Sequence, residues 1–267
     1  ATMTASERRR AAAGARPVCE DLGLALPEDL LRGLRRDFSA EERAEAWRLA
    51  GMAPASTSVS TSAPVGVWIV GPSAVGKTTL ATSLASSVCG GARPWVSLDG
   101  DVWRSVHRGY VACCLDGAAR GCIWRQAFDE LKPFRHKAKE QLFDAAVEGR
   151  RNLLVPDTLT EDGAVERLVR ARACGYQCHV CVLAAPAAVA AERGRGRAAG
   201  DGTRYRAAAP REEALRALFE QRNGAFRLYD VSDSWPSPPR LLFEHRPGAA
   251  DGAAWPAVAT AWRESVA

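Results

Sequence analysis

The residues Gly71-Pro72-Ser73-Ala74-Val75-Gly76-Lys77-Thr78 fit the spacing G-x-x-x-x-G-K-[ST], and each residue type in that run has a chemical use. Glycines let consecutive backbone N–H groups turn inward on a phosphate. The lysine supplies an ammonium for β- and γ-phosphates, and the Thr78 hydroxyl suits Mg²⁺. The context agrees: Val65-Gly66-Val67-Trp68-Ile69-Val70 enters as a buried strand, and Thr79-Leu80-Ala81-Thr82-Ser83-Leu84 leaves as a helix. The N-terminus of that helix adds a dipole favourable to an anion. Gly71 through Thr79 are therefore the candidate nucleotide-binding residues, with ATP or GTP as the expected phosphoryl donor and Mg²⁺ as the expected cofactor. A chance glycine turn before a helix is the competing reading, and the flanking strand and helix argue against it.

Two further strand ends carry acids. Pro94 to Leu98 reads as a short strand closing on Asp99-Gly100-Asp101, and Asn152 to Val155 closes on Pro156-Asp157-Thr158. In an open parallel sheet, ligands bind beyond the carboxyl ends of the strands, so both groups are expected near the triphosphate. Asp157 fits an acid that orients Mg²⁺ through its water shell, giving Thr78 and Asp157 as candidate metal residues. Capping the helix that starts near Glu161 would occupy it equally well. Of Asp99 and Asp101, one could accept the proton of a substrate hydroxyl while the other caps the next helix. Phosphoryl transfer through a loose transition state needs that hydroxyl oriented more than it needs a strong base. Last come Arg193, Arg195, Arg197, Arg204, Arg206 and Arg211, interleaved with Gly194, Gly196, Gly200 and Gly202. They read either as a mobile lid that closes on the transferring phosphoryl group or as a solvated basic loop.

The elements that must position these residues alternate along the chain. Helical signals span 18–53 and include a capping box at Ser39-x-x-Glu42. Beyond the loop, helices are expected over Ile123–Glu148 (with Pro133 inside), Glu161–Cys174, from Pro186, over Arg211–Leu228 and over Ala253–Val266. Further strands are expected over Gln177–Ala184 and Arg240–Glu244. The fold class is α/β: a P-loop NTPase-type parallel sheet with helices on both faces, preceded by a short helical N-terminal element. The domain reading is a disordered leader over 1–17, the helical element over 18–53, a Ser/Thr/Pro/Ala linker over 54–64 and the nucleotide-binding domain over 65–267.

Composition narrows the classes. The net charge of +5 is concentrated in Arg8-Arg9-Arg10 and in the 193–211 stretch. Local excess of this kind suits anionic small molecules, and no nucleic-acid partner is expected. No run of eighteen apolar residues occurs, so no membrane partner is expected either. The expected location is cytoplasmic, with organelle targeting by the Arg/Ala-rich leader as the alternative. Cys174, Cys178, His179 and Cys181 resemble zinc ligands on paper. However, a strand would send Cys178 and His179 to opposite faces, so the eight cysteines are expected to be reduced thiols. A GTPase switch would need an Asn-Lys-x-Asp motif, and neither Asn152 nor Asn223 is followed by lysine.

Taken together, these motifs resemble the zeta-toxin family of phosphate-loop kinases over roughly residues 65 to 230. The resemblance is carried by the loop at 71–78, Leu98-Asp99-Gly100-Asp101-Val102-Trp103-Arg104 and Pro156-Asp157-Thr158-Leu159-Thr160. Gly175-Tyr176, Ala185-Pro186, the arginine stretch and Pro210 add to it. It implies transfer of a γ-phosphoryl group from ATP or GTP to a sugar hydroxyl of UDP-N-acetylglucosamine. In that scheme Lys77 and Thr78 hold phosphates and Mg²⁺, Asp101 is the base, and Arg193, Arg197, Arg204 and Arg206 supply the arginines acting on the γ-phosphate. Asp99, Asp101, Arg104, Asp157 and Thr158 surround the acceptor. Many family members read Asp-Gly-Thr where this chain has Pro156-Asp157-Thr158. Another small-molecule hydroxyl (nucleoside, sugar or antibiotic) is the near alternative, and a non-enzymatic nucleic-acid binder the distant one. A protein inhibitor is left open.

Overall fold

The computed structural model describes residues 16–52, 63–91, 93–201, 209–233, 238–246 and 251–266, without the side chains of 196–201 and 251–253. The expected leader and linker therefore lie almost wholly outside the described residues. The chain divides into two compact units interleaved in sequence. One comprises residues 1–49, 100–141 and 192–206, and the other residues 50–99, 142–191 and 207–267.

The second unit is built on one sheet. Its strands are β1 (Val65–Val70), β2 (Val96–Ser97), β3 (Leu153–Asp157), β4 (Gln177–Ala184), β5 (Phe226–Asp230) and β6 (Arg240–His245), in the order β2-β3-β1-β4-β5-β6. Every residue of β1 is buried, as expected of a central parallel strand covered on both faces. On one face, Val65, Val67 and Ile69 pack with Leu80, Ala81 and Leu84 of helix α3 (Lys77–Cys89). On the other, the Trp68 indole donates to the Ala164 carbonyl of helix α7 (Gly163–Ala173) at 2.9 Å.

Two expectations need correction here. The sheet is not wholly parallel, because β6 runs antiparallel to β5. The connection between Asp230 and Arg240 is shorter than the dozen or so residues that a parallel crossover requires. The helix expected over Arg211–Leu228 instead ends at Gln221 (α9, Glu212–Gln221) and gives way to β5. Asn223 breaks it: its side chain accepts from the Cys178 N–H at 2.6 Å and donates to the Tyr176 carbonyl at 2.9 Å. That fastens the segment to β4 and lets β5 pair there.

The first unit is helical, with α1 (Glu28–Leu34), α2 (Ala40–Leu49), α4 (Gly100–Val106), α5 (Arg108–Ala119) and the part of α6 (Arg125–Glu148) up to Gln141. Helix α5 was not anticipated from the sequence. The capping box is formed, since Ser39 Oγ accepts from Glu42 N at 3.2 Å and Glu42 Oε2 accepts from Ser39 N at 2.8 Å. Glu42 also receives Arg36 at 2.6 and 2.7 Å and the Arg108 N–H at 2.8 Å. Burial alone would raise its pKa, but these bonds outweigh burial and hold it at about 2. Phe38 packs edge-on against Trp103 and His107.

The cysteines divide differently from the expectation of free thiols. Cys19 and Cys122 form a disulfide across 103 residues. A parallel bridge between Val18 and Ile123, with Cys19 N–H donating to the Ile123 carbonyl at 3.0 Å, brings the two Cα atoms to 5.2 Å. Such a separation leaves no local spacing to read. In the chain-entropy account, closing so long a loop stabilises the fold by about 4–5 kcal/mol. Glu20, next in sequence, accepts the N–H groups of Arg125 and Gln126 and so caps α6. Cys178 and Cys181 are core residues of β4, and burial pushes both thiols up to about 12. Among the described residues no group of His, Cys, Asp and Glu is arranged to hold a metal ion.

Two expected outcomes follow from the packing. His179 is buried, its Nδ1 accepts from the Ala225 N–H at 2.9 Å, and burial lowers its pKa to about 4. Burial lowers that of His107 as well. The unfolded chain therefore takes up protons below about pH 6.5 that the folded state refuses, and stability falls as pH drops from 6.5 towards 4. His179→Gln is expected to flatten that slope by up to about 1.4 kcal/mol per pH unit, read from urea midpoints between pH 7 and 4.5. Ala74, in the turn between β1 and α3, has φ +66. A β-branched residue is strained there, so Ala74→Val is expected to lose about 1–2 kcal/mol in the same assay, whereas Ala74→Gly loses none.

Candidate active site

Three strand ends meet in the second unit. Val70, the last residue of β1, pairs with Asp157 on one side and Val182 on the other. The chain then turns at Gly71, whose N–H donates to the Asp157 carbonyl at 3.3 Å. A Cβ on residue 71 would lie 2.4 Å from the Leu183 carbonyl oxygen, so only glycine lets the chain leave the sheet here. The loop ends at Gly76, and α3 starts without any side-chain cap, which leaves its positive end to an anion.

Lys77 bends back over the loop, its Nζ donating to the carbonyls of Gly71 at 3.0 Å and Pro72 at 2.6 Å. Thr78 is exposed and donates from Oγ1 to Asp99 Oδ2 at 2.7 Å. Asp99 is itself buried, 9% exposed, held one residue beyond Leu98, whose N–H donates to the Leu154 carbonyl. A hydroxyl and a carboxylate in contact, beside an uncapped helix start and an ammonium, form a donor set that suits Mg²⁺ and a polyphosphate.

Asp157 is committed to the protein. Its Oδ1 accepts from the Leu159 N–H at 2.8 Å, and its Oδ2 lies 3.4 Å from Arg167 of α7, a buried guanidinium. Leu159 is fully buried with φ +54, an uncommon conformation for a branched side chain. Thr158 is half-buried, with its hydroxyl 3.3 Å from that of Thr160.

The remaining predicted residues belong to the first unit. Asp101 lies in the first turn of α4 and forms an ion pair with Arg104 one turn on. Helix α8 (Ala187–Asp201) carries Arg193, which is half-buried, and Arg195, which is exposed. The glycine-rich stretch expected as a lid is thus helical as far as Asp201. Alanine and arginine are strong helix formers and outweigh the interspersed glycines. The Arg197 side chain, Arg204 and Arg206 lie outside the described residues.

Sequence reading missed Arg167, Phe128 and Arg135. The first pairs with Asp157, Phe128 lies under the guanidinium of Arg104, and Arg135 lies on the same ring and beside Gly100. Nothing in the local spacing marks them, because each is recruited across a helix packing rather than along a strand.

Comparison with known proteins places this geometry. The profile of the family described as Zeta toxin matches residues 52–226. No curated protein matches the chain. Among solved structures, the chain is similar to one from the characterisation of the PezAT chromosomal toxin–antitoxin system of Streptococcus pneumoniae. That match has 16% identity and a TM-score of 0.55, covering 86% of this chain and 88% of the other. A complex of AvrRxo1-ORF1 and ORF2 with ATP shows a weaker likeness, at 12% identity and TM-score 0.43, covering 86% of this chain and 70% of that one. With most of its length inside the family profile, and with the phosphate loop, the Asp99–Asp101 segment and the mixed sheet in place, the chain belongs to the Zeta toxin family of phosphate-loop kinases.

Proposed function

We propose that the protein transfers the γ-phosphoryl group of ATP or GTP to a hydroxyl of a small molecule, UDP-N-acetylglucosamine being the leading acceptor. The observation that best supports a phosphoryl-transfer site is the contact of Thr78 with Asp99 in front of an uncapped helix start. The α-to-γ phosphates would lie along the N–H groups of the loop from Gly71 to Thr79. The Lys77 ammonium would leave the carbonyls of Gly71 and Pro72 for the β- and γ-oxygens.

Thr78, with Asp99 beside it, would hold Mg²⁺, which when bound offsets charge on the β- and γ-oxygens. Asp157 would then act indirectly, shaping the turn that carries Thr158 towards the acceptor. Asp101, two residues beyond Asp99 along the chain, would take the proton of the acceptor hydroxyl. As the acceptor oxygen bonds to the γ-phosphorus, the bond from that phosphorus to the β,γ-bridging oxygen breaks and the nucleoside diphosphate departs. Arg193, Arg197, Arg204 and Arg206 would supply the positive charge that the departing and transferring oxygens require. A protein inhibitor for this chain is a natural extension, since the Streptococcus pneumoniae neighbour comes from a toxin–antitoxin system.

Transfer of labelled phosphate from ATP with Mg²⁺, with and without UDP-N-acetylglucosamine, is the direct test. Sugar-dependent transfer is expected, with Lys77→Ala lowering it about 10³-fold or more and Asp101→Asn about 10²–10⁴-fold at unchanged nucleotide affinity. Nucleotide binding with no transfer to the sugar nucleotide would discard that acceptor. The metal assignment is tested by titrating Mg²⁺. Asp99→Asn is expected to raise the half-saturating concentration about tenfold or more, while Asp157→Asn shifts it little and lowers the melting temperature. The reverse pattern would move the metal to Asp157.

A further inference from the structure

Two guanidinium groups share one aromatic ring in the first unit. The Arg104 Cζ lies 5.2 Å from the centroid of Phe128, and the Arg135 Cζ lies 5.0 Å from the same centroid. Phe128 and Arg135 are both on α6, two helical turns apart, so one helix presents the ring and one of its cations. Arg104 comes from α4, with only 13% of its side chain exposed, and it is the partner of Asp101. Arg135 also approaches α4: its Nη1 would lie 3.2 Å from a Cβ on Gly100, the residue just before Asp101. One cation on the ring thus pairs with the Asp101 carboxylate, and the other lies beside Gly100 at the start of the same helix.

Like charges so close repel, and something must hold them. The aromatic face attracts each cation, and the Asp101 carboxylate supplies the opposite charge to Arg104. One neighbour of the pair is not a competing anion. Tyr110 of α5, which interacts electrostatically with Arg104, Asp101 and Arg135, is buried, and burial pushes its phenol up to about 12. Its phenol stays neutral and carries no charge to set against either guanidinium.

We propose that Phe128 is a positioning residue for the phosphoryl-transfer step. Its ring seats the Arg104 guanidinium that orients the Asp101 carboxylate, and Arg135 on the same ring closes the seat against Gly100. The inference rests on the reading of Asp101 as the group that takes the hydroxyl proton. Phe128 touches neither nucleotide nor acceptor in this scheme and acts only through Arg104. A Cβ on residue 100 would touch the Arg135 guanidinium at 3.2 Å, a contact that a small shift of that flexible side chain relieves.

The test uses the full-length protein, with kcat and KM measured for ATP and UDP-N-acetylglucosamine. Phe128→Leu keeps the apolar bulk but removes the aromatic face. It is expected to lower kcat about 10–100-fold while KM for ATP stays within about twofold. Phe128→Tyr keeps the face and is expected to stay within about threefold of the parent kcat. Full turnover by Phe128→Leu, or an equal loss in Phe128→Tyr, would overturn the proposal. If the parent protein transfers nothing to the sugar nucleotide, the functional reading fails by itself, and the seat is judged by urea unfolding of Asp101→Asn, Phe128→Leu and the double variant. An unfolding constant for the double variant at least about threefold away from the product of the single effects supports the seat. Strict additivity sinks it.

Discussion

The phosphate loop depends on how closely β1 and β4 run where the chain leaves the sheet. At Gly71 the backbone passes so near the Leu183 carbonyl that a hydrogen is the largest group position 71 can carry. With β1 and β4 in register to Val70 and Val182, this close pass determines where the turn begins, and hence where α3 points its N-terminus. β3 is locked to the same point, since Asp157 stands opposite Val70 and its carbonyl takes the Gly71 N–H. The loop after β3 is then held by Asp157 and Arg167, and the Leu159 carbonyl takes the N–H of Arg211 just before α9. One tight passage thereby organises the ends of three strands.

Both units treat buried charge alike, pairing a carboxylate with a guanidinium and satisfying the remaining lone pairs with backbone N–H groups. Glu42 does so with Arg36 and the N–H groups of Ser39 and Arg108, and Asp157 with Arg167 and the Leu159 N–H. Removing one partner of such a pair strands the other, so these groups specify geometry more surely than they add stability. The arrangement suits a protein whose chemistry needs acids held in particular directions. The Asp101–Arg104 pair is more open, with the Asp101 side chain 40% exposed, and there an aromatic ring lies beside the guanidinium.

Much of this was legible from local pattern. The phosphate loop, β1, β4 and the Ser39–Glu42 capping box are all defined by residues within a few positions of one another, and they lie where their spacing placed them. What escaped depends on contacts distant in sequence. Asn223 ends α9 because it plugs the edge of β4, an event that helical periodicity cannot register. The antiparallel β6 follows from connection length, a cue present in the sequence but subordinate to the alternation of strands and helices. At the site, the motif residues were readable, but which acid stands beside Thr78 was not. Asp99 and Asp157 both close apolar strands, and only the packing of β2 against β3 brings Asp99 to the hydroxyl.

The disulfide between Cys19 and Cys122 makes everything between them a covalent ring: α1, α2, β1, the phosphate loop, α3, β2, α4 and α5 all lie inside it. A protease that cuts once anywhere from residue 20 to 121 opens the ring without dividing the molecule. The two pieces travel together until the bond is reduced. A nicked chain would therefore migrate as one species on a gel without thiol and as two with it, and intact mass on a non-reducing gel says nothing about whether the segment carrying Lys77 is still continuous with Asp101.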